Sequence, residues 1–320
     1  MRVRGDRRMP GGNEPGRRDA DTLPLAPPAP GSPAVEAHAV AAPGRRPAGG
    51  AAAPHQRARG ELVLAMRRRG AATVLSDLRQ AGCLRARFPR ALDPAWPEAV
   101  LLNIGGGVAA GDRLDTTVLL GPDAQATVAA QAAERVYRAV DGSPPALVRT
   151  RLDVAPGAFL EWLPQDTILF DASALDRHTE IALAADARFL GVECLVFGRA
   201  AMGETLRRLV LRDVIRLRRD GRLLLHDALR VDGDAAVLRR RATAAGAGAA
   251  GTLLFAAPDA EAARDPLRDA LRDFEAGVSA FDGLLLARVL AEDGAALRRA
   301  MTAALRVVRG GRRLPAVWTC

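Results

Sequence analysis

The chain has 320 residues and a hydrophobic content of 49%, which suffices for one large domain or two small ones with a buried core. Its formal charge is +9, and all 46 basic residues are arginine. Because these arginines are scattered and the chain holds a single tyrosine, it lacks the focused basic face and the aromatic platforms of a nucleic-acid-binding protein. We therefore expect no nucleic-acid partner.

The cysteines and the apolar runs indicate the cellular compartment. Cys83, Cys194 and Cys320 are odd in number and far apart, so the sequence contains no disulfide framework and no CxxC pair. The first residues carry no apolar signal region. The most apolar run, residues 242–258, is mostly Ala and Gly and is shorter than the ~20 strongly apolar residues of a membrane helix. These features predict a cytoplasmic protein with no membrane segment.

Residues 1–57 differ in composition from the rest of the chain. They are rich in Pro, Gly, Ala and Arg, and Pro and Gly at this density cannot maintain a helix or contribute to a core. We predict a disordered extension over residues 1–57 and a folded domain over residues 58–320.

From Gly60 onward the chain consists mostly of short alternating segments that are separated by turn signals. Residues 61–82 are predicted as a strand, a turn and a second strand or short helix, and residues 83–90 alternate apolar with basic side chains. Further strands are predicted at residues 113–120, 126–132, 146–154, 158–164, 179–185, 188–198, 209–221 and 222–233. Asp220–Gly221 marks the tip of a hairpin. Because long helices do not alternate with these strands, the pattern favours a mainly β architecture over a doubly wound nucleotide-binding fold.

The last part of the chain carries helical periodicity in two segments, residues 259–277 and residues 292–311. The apolar positions with this spacing are Leu267, Leu271 and Phe274 in the first segment and Leu297, Met301, Leu305 and Val308 in the second. Residues 281–290 lie between them and are predicted as a buried strand. The coarse expectation is a β body that carries two C-terminal helices.

The glycine-rich segment Gly105–Asp112 resembles a nucleotide loop at first sight. It has no Gly-Lys-Ser/Thr ending, so it is not a P-loop. Its loose dinucleotide-like spacing leads into a predicted strand, whereas a dinucleotide site needs a helix N-terminus to hold the pyrophosphate. The segment therefore favours a loop that needs positive φ or a close backbone approach. A nucleotide-binding enzyme that uses this loop is kept as an alternative.

The sequence offers few candidates for catalysis or for a resident metal. Glu161 and Asp166 have no nucleophile or histidine near them in sequence, so a solvated or hydrogen-bonded structural role is favoured for both. The stronger metal ligands are not spaced as a structural zinc site; they are Cys83, His178, Cys194 and His226. No Ser-His-Asp order or activated cysteine motif stands out. The residues alone indicate a non-enzymatic, β-rich binding or scaffold protein, and a generic adaptor is a further alternative.

Five segments carry a family resemblance. GGGVAAGDRL, QAAERVYRA, LEWLPQDTILFDAS, VECLVFGRAAMGE and RDGRLLLHDALRVDG occur in this order. Their succession resembles the UreD family of urease accessory proteins, which is also called UreH. SDLRQAGCLRARFPR and the terminal LPAVW are similar to the two ends of that family. The similarity extends from about residue 60 to residue 320.

The resemblance implies a mainly β fold with a stacked-sheet, β-helix-like body, two C-terminal helices and no enzyme activity. Proteins of this family bind apo-urease and the helical partner UreF, which recruits the GTPase UreG. Their assembly delivers Ni²⁺ to the urease active site through an internal path. The partners implied for this chain are therefore UreF, UreG and the urease structural subunits. No tightly bound cofactor is implied, only the transient handling of Ni²⁺.

The motif positions also assign residues to this role. Because carboxylates bind divalent transition metals less tightly than His or Cys, they suit the passage of an ion better than its storage. The carboxylates that the resemblance places on the nickel path are Asp112, Glu134, Glu193 and Asp227. The residues that it assigns to shaping the adjoining loop are Gly105, Gly106, Gly111, Tyr137 and Arg138.

Overall fold

A computed structural model describes residues 56–90 and 93–319. The extension predicted for residues 1–57 therefore lies outside the described residues apart from Gln56 and Arg57, and Cys320 lies outside them as well. The strands, in chain order, are β1 (Arg59–Arg69), β2 (Ala72–Gly82), β3 (Leu84–Arg87), β4 (Glu98–Asn103), β5 (Arg113–Leu120), β6 (Gln125–Ala130), β7 (Glu134–Val136), β8 (Ala146–Val154), β9 (Phe159–Leu163), β10 (Thr167–Leu169), β11 (Ser173–Leu183), β12 (Arg188–Phe197), β13 (Arg208–Arg219), β14 (Arg222–Asp234), β15 (Ala249–Ala256), β16 (Glu275–Phe281) and β17 (Leu284–Ala291). The α-helices are α1 (Arg264–Ala270) and α2 (Gly294–Val308), and short 3-10 helices cover Ala200–Met202, Ala235–Arg239, Ala260–Ala263 and Ala316–Trp318.

Within the described ranges, the strands form two sheets. The first sheet has the order β14-β13-β11-β8-β5-β1-β2. The second has the order β16-β17-β15-β12-β9-β6-β4-β3, and β10 pairs with β12 and with β7. Between β4 and β13 the chain mostly alternates between the sheets, so β5, β8 and β11 pair in parallel. The predicted mainly β fold with stacked sheets and two C-terminal helices is confirmed, and the more specific β-helix-like body is not confirmed.

Apolar side chains cover both faces of the second sheet. One core contains residues from both sheets and lies between them, with Leu62, Leu152 and Phe189 among its fully buried members. A second core joins the second sheet to the helices and includes Leu190 and Leu297. Burial of each such side chain contributes about 1.5–3 kcal/mol to folding. The fold is therefore a stack of first sheet, second sheet and helices.

Asp-Gly pairs close two of the hairpins. Asp220 and Gly221 have φ values of 47° and 76° and connect β13 to β14, which confirms the predicted hairpin tip. Asp282 and Gly283 have φ values of 48° and 70° and connect β16 to β17. Positive φ at both central residues is the type I′ geometry that matches the twist of the flanking strands. The buried strand predicted over residues 281–290 is confirmed as β17, except that residues 281–283 belong to the end of β16 and to this turn.

The first C-terminal helix is shorter than its periodicity predicts. Residues 259–277 carry helical spacing, but α1 covers only Arg264–Ala270 and Glu275 already begins β16. Leu267 and Leu271 are buried, as the spacing requires. Residues 275–277 pair with β17 in antiparallel register. The hydrogen bonds of this hairpin therefore override the helical pattern at the end of the segment.

The second C-terminal helix follows its sequence signals closely. The Asp293 side chain accepts a hydrogen bond from the Ala296 amide at 2.7 Å, which caps the N-terminus of α2. The buried positions of α2 repeat at helical spacing and are Leu297, Ala300, Met301, Ala304 and Leu305. Gly310 and Gly311 both have positive φ and lie directly after its end.

The Ala- and Gly-rich run at residues 242–258 contains β15, a strand that the sequence pattern did not reveal. β15 lies between β12 and β17 in the second sheet. Its small residues let α2 approach closely, because a Cβ atom at Gly251 would lie 2.7 Å from Leu297 Cδ1. In the part of the chain that the structure describes, no helix is both long and apolar enough to cross a membrane.

Candidate functional site

A charged part of the interior lies where the neighbouring strands β11 and β13 of the first sheet face β12 of the second sheet. Along β12, Leu195 belongs to the core between the sheets and Cys194 belongs to the core under the helices. Because neighbouring residues of a strand point to opposite faces, Glu193 points into the space between the sheets. Arg177 on β11 and Asp213 on β13 point into the same space. There Arg177 contacts both Glu193 and Asp213.

These three side chains form one buried charged cluster. The Arg177 guanidinium donates from Nε to Asp213 Oδ1 at 2.9 Å and from Nη2 to Asp213 Oδ2 at 2.5 Å. The same Nη2 lies 2.7 Å from Glu193 Oε1, and Nη1 donates to Thr167 Oγ1 at 2.9 Å. The side chains of Arg177, Glu193 and Asp213 are only 13%, 16% and 3% exposed. Arg177 is thus bidentate to Asp213 and makes a single contact to Glu193.

Burial affects the three groups differently. Burial raises the pKa of Glu193 well above its ordinary value, and the charge of Arg177 only partly opposes this. Burial is the largest single effect on Asp213 and raises its pKa, but the charge of Arg177 and the hydrogen bonds with Glu193 and Arg177 together outweigh it, so the pKa of Asp213 lies below its ordinary value. For Arg177, burial is outweighed by the charges of Asp213 and Glu193, so its pKa is raised and the guanidinium stays charged. Glu193 is therefore the acidic group of the cluster that takes up a proton most readily, and a hydrogen bond with Asp213 favours its protonated form.

A cavity of about 520 Å³ lies on one side of the cluster, and we call it the β14 cavity. Its charged lining residues are Glu193, Asp213, Asp227, Glu275 and Arg288. Asp227 Oδ1 accepts from Arg288 Nη2 at 2.7 Å. The neighbouring His226 accepts from Arg216 on the other face of β14, as expected for adjacent strand residues. Because Glu275 is exposed, the wall of the β14 cavity reaches the surface.

A second cavity of about 300 Å³ lies on the other side of the cluster, and we call it the β7 cavity. Glu193 and Arg177 line it together with Glu134 and Asn103. The Asn103 amide donates to both oxygens of Glu134, at 3.3 and 3.2 Å. Burial raises the pKa of Glu134, and this hydrogen bond lowers it to a smaller extent. The lining residue Gln131 is exposed, so this cavity also reaches the surface.

Three of the four predicted path carboxylates therefore line two cavities that share Glu193. Glu134 lies in the β7 cavity, Asp227 lies in the β14 cavity, and Glu193 lines both. The fourth residue, Asp112, has a different environment. Its Oδ2 accepts from the Ala109 amide within the glycine loop and its Oδ1 accepts from the Ala58 amide just before β1, each at 2.8 Å, so the carboxylate closes the loop and ties it to the start of β1.

Of the predicted loop residues, Gly106 lines the β7 cavity. Tyr137 donates its hydroxyl hydrogen to the Gly106 carbonyl at 2.5 Å. The Gly105 amide donates to Asn103 Oδ1 at 2.9 Å. Arg138 pairs with Asp171 at 2.9 Å and extends the same surface. The loop, which also includes Gly111, connects strand β4 to strand β5, so no helix begins at its end.

Gly107 is the position of this loop where an added side chain should cost most. Its φ is +152°, and a Cβ atom there would lie 2.5 Å from Tyr137 Cε2 and 2.8 Å from the Arg135 carbonyl oxygen. We expect Gly107→Ala to reduce the free energy of unfolding by about 1–3 kcal/mol because of the clash and the strained φ. Urea unfolding measures this change. Gly277→Ala is the matched control, because φ at Gly277 is not positive and nothing lies within 4 Å of the added atom; equal losses in both variants would contradict the prediction.

The sequence analysis missed Arg177, Asp213 and Asn103. The sequence contains a signal for Arg177 and Asp213, because the other inward positions of β11 and β13 are mostly apolar. A charged residue at such a position, as in the series Leu209, Leu211, Asp213 and Ile215, must find a partner inside the fold. The pattern identifies a buried charge, but it does not say which distant strand supplies the partner.

Carboxylates and arginines supply the charges that line the two cavities. Among the described residues, no group of three or more His, Cys, Asp or Glu side chains is placed to hold a metal ion. The thiols of Cys83 and Cys194 are free, and burial strongly raises the pKa of Cys194.

Comparison with known proteins gives a consistent picture. A family model described as UreD urease accessory protein matches residues 58–319. The chain is similar to the urease accessory protein UreD of Dinoroseobacter shibae, with 48% identity over 82% of this chain and 92% of the relative. It is also similar to UreD of Xanthobacter autotrophicus, with 47% identity over 82% and 90% of the two chains. For UreD of Sinorhizobium medicae, identity is 44% over 84% and 98%.

Proposed function

The chain belongs to the family of UreD urease accessory proteins, whose role is urease maturation, and we propose that within this role it is a non-catalytic scaffold that passes Ni²⁺. In this proposal the ion is cargo that moves through the protein to the urease active site. The scaffold acts in the cytoplasm, where it binds the urease structural subunits together with UreF and UreG.

The observation that carries the nickel proposal is the pair of cavities that meet at Glu193. An ion that enters the β7 cavity meets Glu134, then Glu193 at the shared wall, and then Asp227 in the β14 cavity. Both cavities have exposed residues in their walls, which supports a route from one surface to another through the space between the sheets. Single carboxylates along such a route lower the energy of a dication at each step without trapping it.

Asp112 has a supporting role in this proposal. Its two backbone hydrogen bonds fix the loop whose Gly106 lines the β7 cavity. We assign it to shaping the entrance, and we assign direct contact with the ion to Glu134, Glu193 and Asp227.

The functional proposal is tested by deleting the gene for this chain in a urease-producing host and restoring it on a plasmid. We expect the deletion strain to accumulate urease subunits that lack nickel and activity, and we expect the plasmid to restore both. The urease proteins are quantified by immunoblot, and their nickel content is measured by atomic absorption. Normal urease activity in the deletion strain would overturn the proposal.

A further inference from the structure

We infer that Arg177 competes with the cation for Glu193. This competition prevents tight metal binding where the two cavities meet. The inference rests on the proposed passage of Ni²⁺ and adds a residue that sets how tightly the ion is held. Arg177 is a positioning residue in this view, because it acts through Glu193 and Asp213.

The position of the guanidinium supports this role. Arg177 lines the β7 cavity, Asp213 lines the β14 cavity, and Glu193 lines both. The contact between Arg177 Nη2 and Glu193 Oε1, at 2.7 Å, therefore lies at the wall that the cavities share. A cation that uses Glu193 at this point must take the place of a protein cation that is already there.

The contacts of Arg177 are unequal, which makes the exchange feasible. Asp213 receives two hydrogen bonds from Nε and Nη2, and Thr167 receives a third from Nη1. Glu193 receives one contact. When a dication binds Glu193, Arg177 can give up that contact and remain anchored to Asp213 and Thr167. The guanidinium is then available to pair with Glu193 again as soon as the ion leaves.

The charges explain why this arrangement weakens binding. Without Arg177, Glu193 and Asp213 would be two nearly buried acidic groups that are hydrogen-bonded to each other and have no positive partner on β11, and a pair in that state gains from taking up a proton or a cation. With Arg177 present, the guanidinium charge already offsets much of the negative charge that would attract a cation. The affinity of a dication for the site at Glu193 is therefore low, as the passage of the ion requires.

The experiment compares Ni²⁺ binding to the full-length chain and to its Arg177→Gln variant by isothermal titration with nickel chloride. We expect the variant to bind Ni²⁺ about tenfold more tightly or better. Because loss of structure weakens metal sites, a gain in affinity is a result that a purely structural role of Arg177 does not produce. The Arg177→Gln, Glu193→Gln double variant should lose the gain, and Arg177→Lys, which keeps the charge, should stay near the unmodified chain.

Arg149→Gln is the matched control. Arg149 also lies on a strand of the first sheet and pairs with a carboxylate, Asp176, at 3.3 Å, but on the outer face. Its variant should bind Ni²⁺ like the unmodified chain. Unchanged or weaker binding by Arg177→Gln, with a circular dichroism spectrum that shows it folded, would overturn the inference.

A cellular measurement separates this inference from the proposed function. If the unmodified chain restores urease activity to the deletion strain, the proposed function stands whatever the titration shows. In that background the Arg177→Gln variant should restore less nickel to urease, because it releases the ion more slowly. If the unmodified chain restores nothing, the proposed function fails, while the titration still measures the effect of Arg177 on cation affinity.

Discussion

Replacing Glu161 by glutamine is expected to lower the free energy of unfolding by about 3–5 kcal/mol, the largest loss of stability that we foresee for a single substitution in this chain. Glu161 lies on β9 and is completely buried. It pairs with Arg309, whose side chain is 2% exposed, and with Arg312. The amide of glutamine keeps the shape of the carboxylate but removes its charge, so the buried Arg309 guanidinium loses its directly paired counter-ion and keeps only the more distant charge of Glu98.

Glu161 accepts several hydrogen bonds in this cluster. Arg309 donates from Nε to Glu161 Oε1 at 3.0 Å and from Nη2 to Oε2 at 2.9 Å, while Thr127 donates to Oε2 at 2.5 Å. Arg312 also stacks on the Trp96 ring, 3.6 Å from its centroid. Together these contacts fasten the segment that follows α2 onto the outer face of the second sheet.

Urea unfolding monitored by circular dichroism measures the effect of Glu161→Gln. Asp265→Asn is the control, because Asp265 pairs with Arg264 at a fully exposed position and its loss should not change the midpoint measurably. We also expect the variant to become sensitive to proteolysis near its C-terminus, since the anchor of that segment is lost. A loss below about 1 kcal/mol would show that the cluster contributes no more than a surface ion pair does.

Glu161 also illustrates what the sequence could and could not predict. The absence of a nearby nucleophile or histidine correctly favoured a hydrogen-bonded structural role. Its partner Arg309 lies 148 residues further along the chain, and no local pattern connects the two. Strand alternation is a local signal, so residues 113–120 and 146–154 were predicted with the bounds that β5 and β8 have. Long-range pairing is fixed by the sheet order, which a single sequence does not encode in its local patterns.

The candidate site was predictable to a similar degree. The family motifs supplied Glu134, Glu193 and Asp227, and the structure places them along two adjoining cavities. They also supplied Asp112, whose hydrogen bonds belong to the glycine loop. Arg177 carries no motif of its own, and its importance follows only from the neighbours that β12 and β13 bring to it. Residue type is thus visible in the sequence, whereas the grouping of charges depends on the register of strands that are distant in the chain.

The simultaneous change Glu134→Gln, Glu193→Gln and Asp227→Asn is expected to reduce the activation of urease by about tenfold or more, the largest functional effect that we foresee. Each substitution keeps the size of the side chain and removes one negative charge from the proposed path. The fold should tolerate the change, because Arg177 keeps its pair with Asp213 and Arg288 is half exposed. Asp112 is left unchanged, since its substitution would disturb the loop backbone.

The control for this triple variant removes the same number of charges from the opposite side of the first sheet. Asp115, Asp153 and Glu180 line a shallow hollow on its outer face, and the control variant carries Asn, Asn and Gln at these positions. Both variants should co-purify with urease subunits as the unmodified chain does, but only the path variant should leave urease low in nickel. If the two variants restored equal nickel contents, the cation would not depend on the carboxylates between the sheets. A defect confined to the path variant, with its complexes intact, would separate the passage of the ion from the assembly of the scaffold.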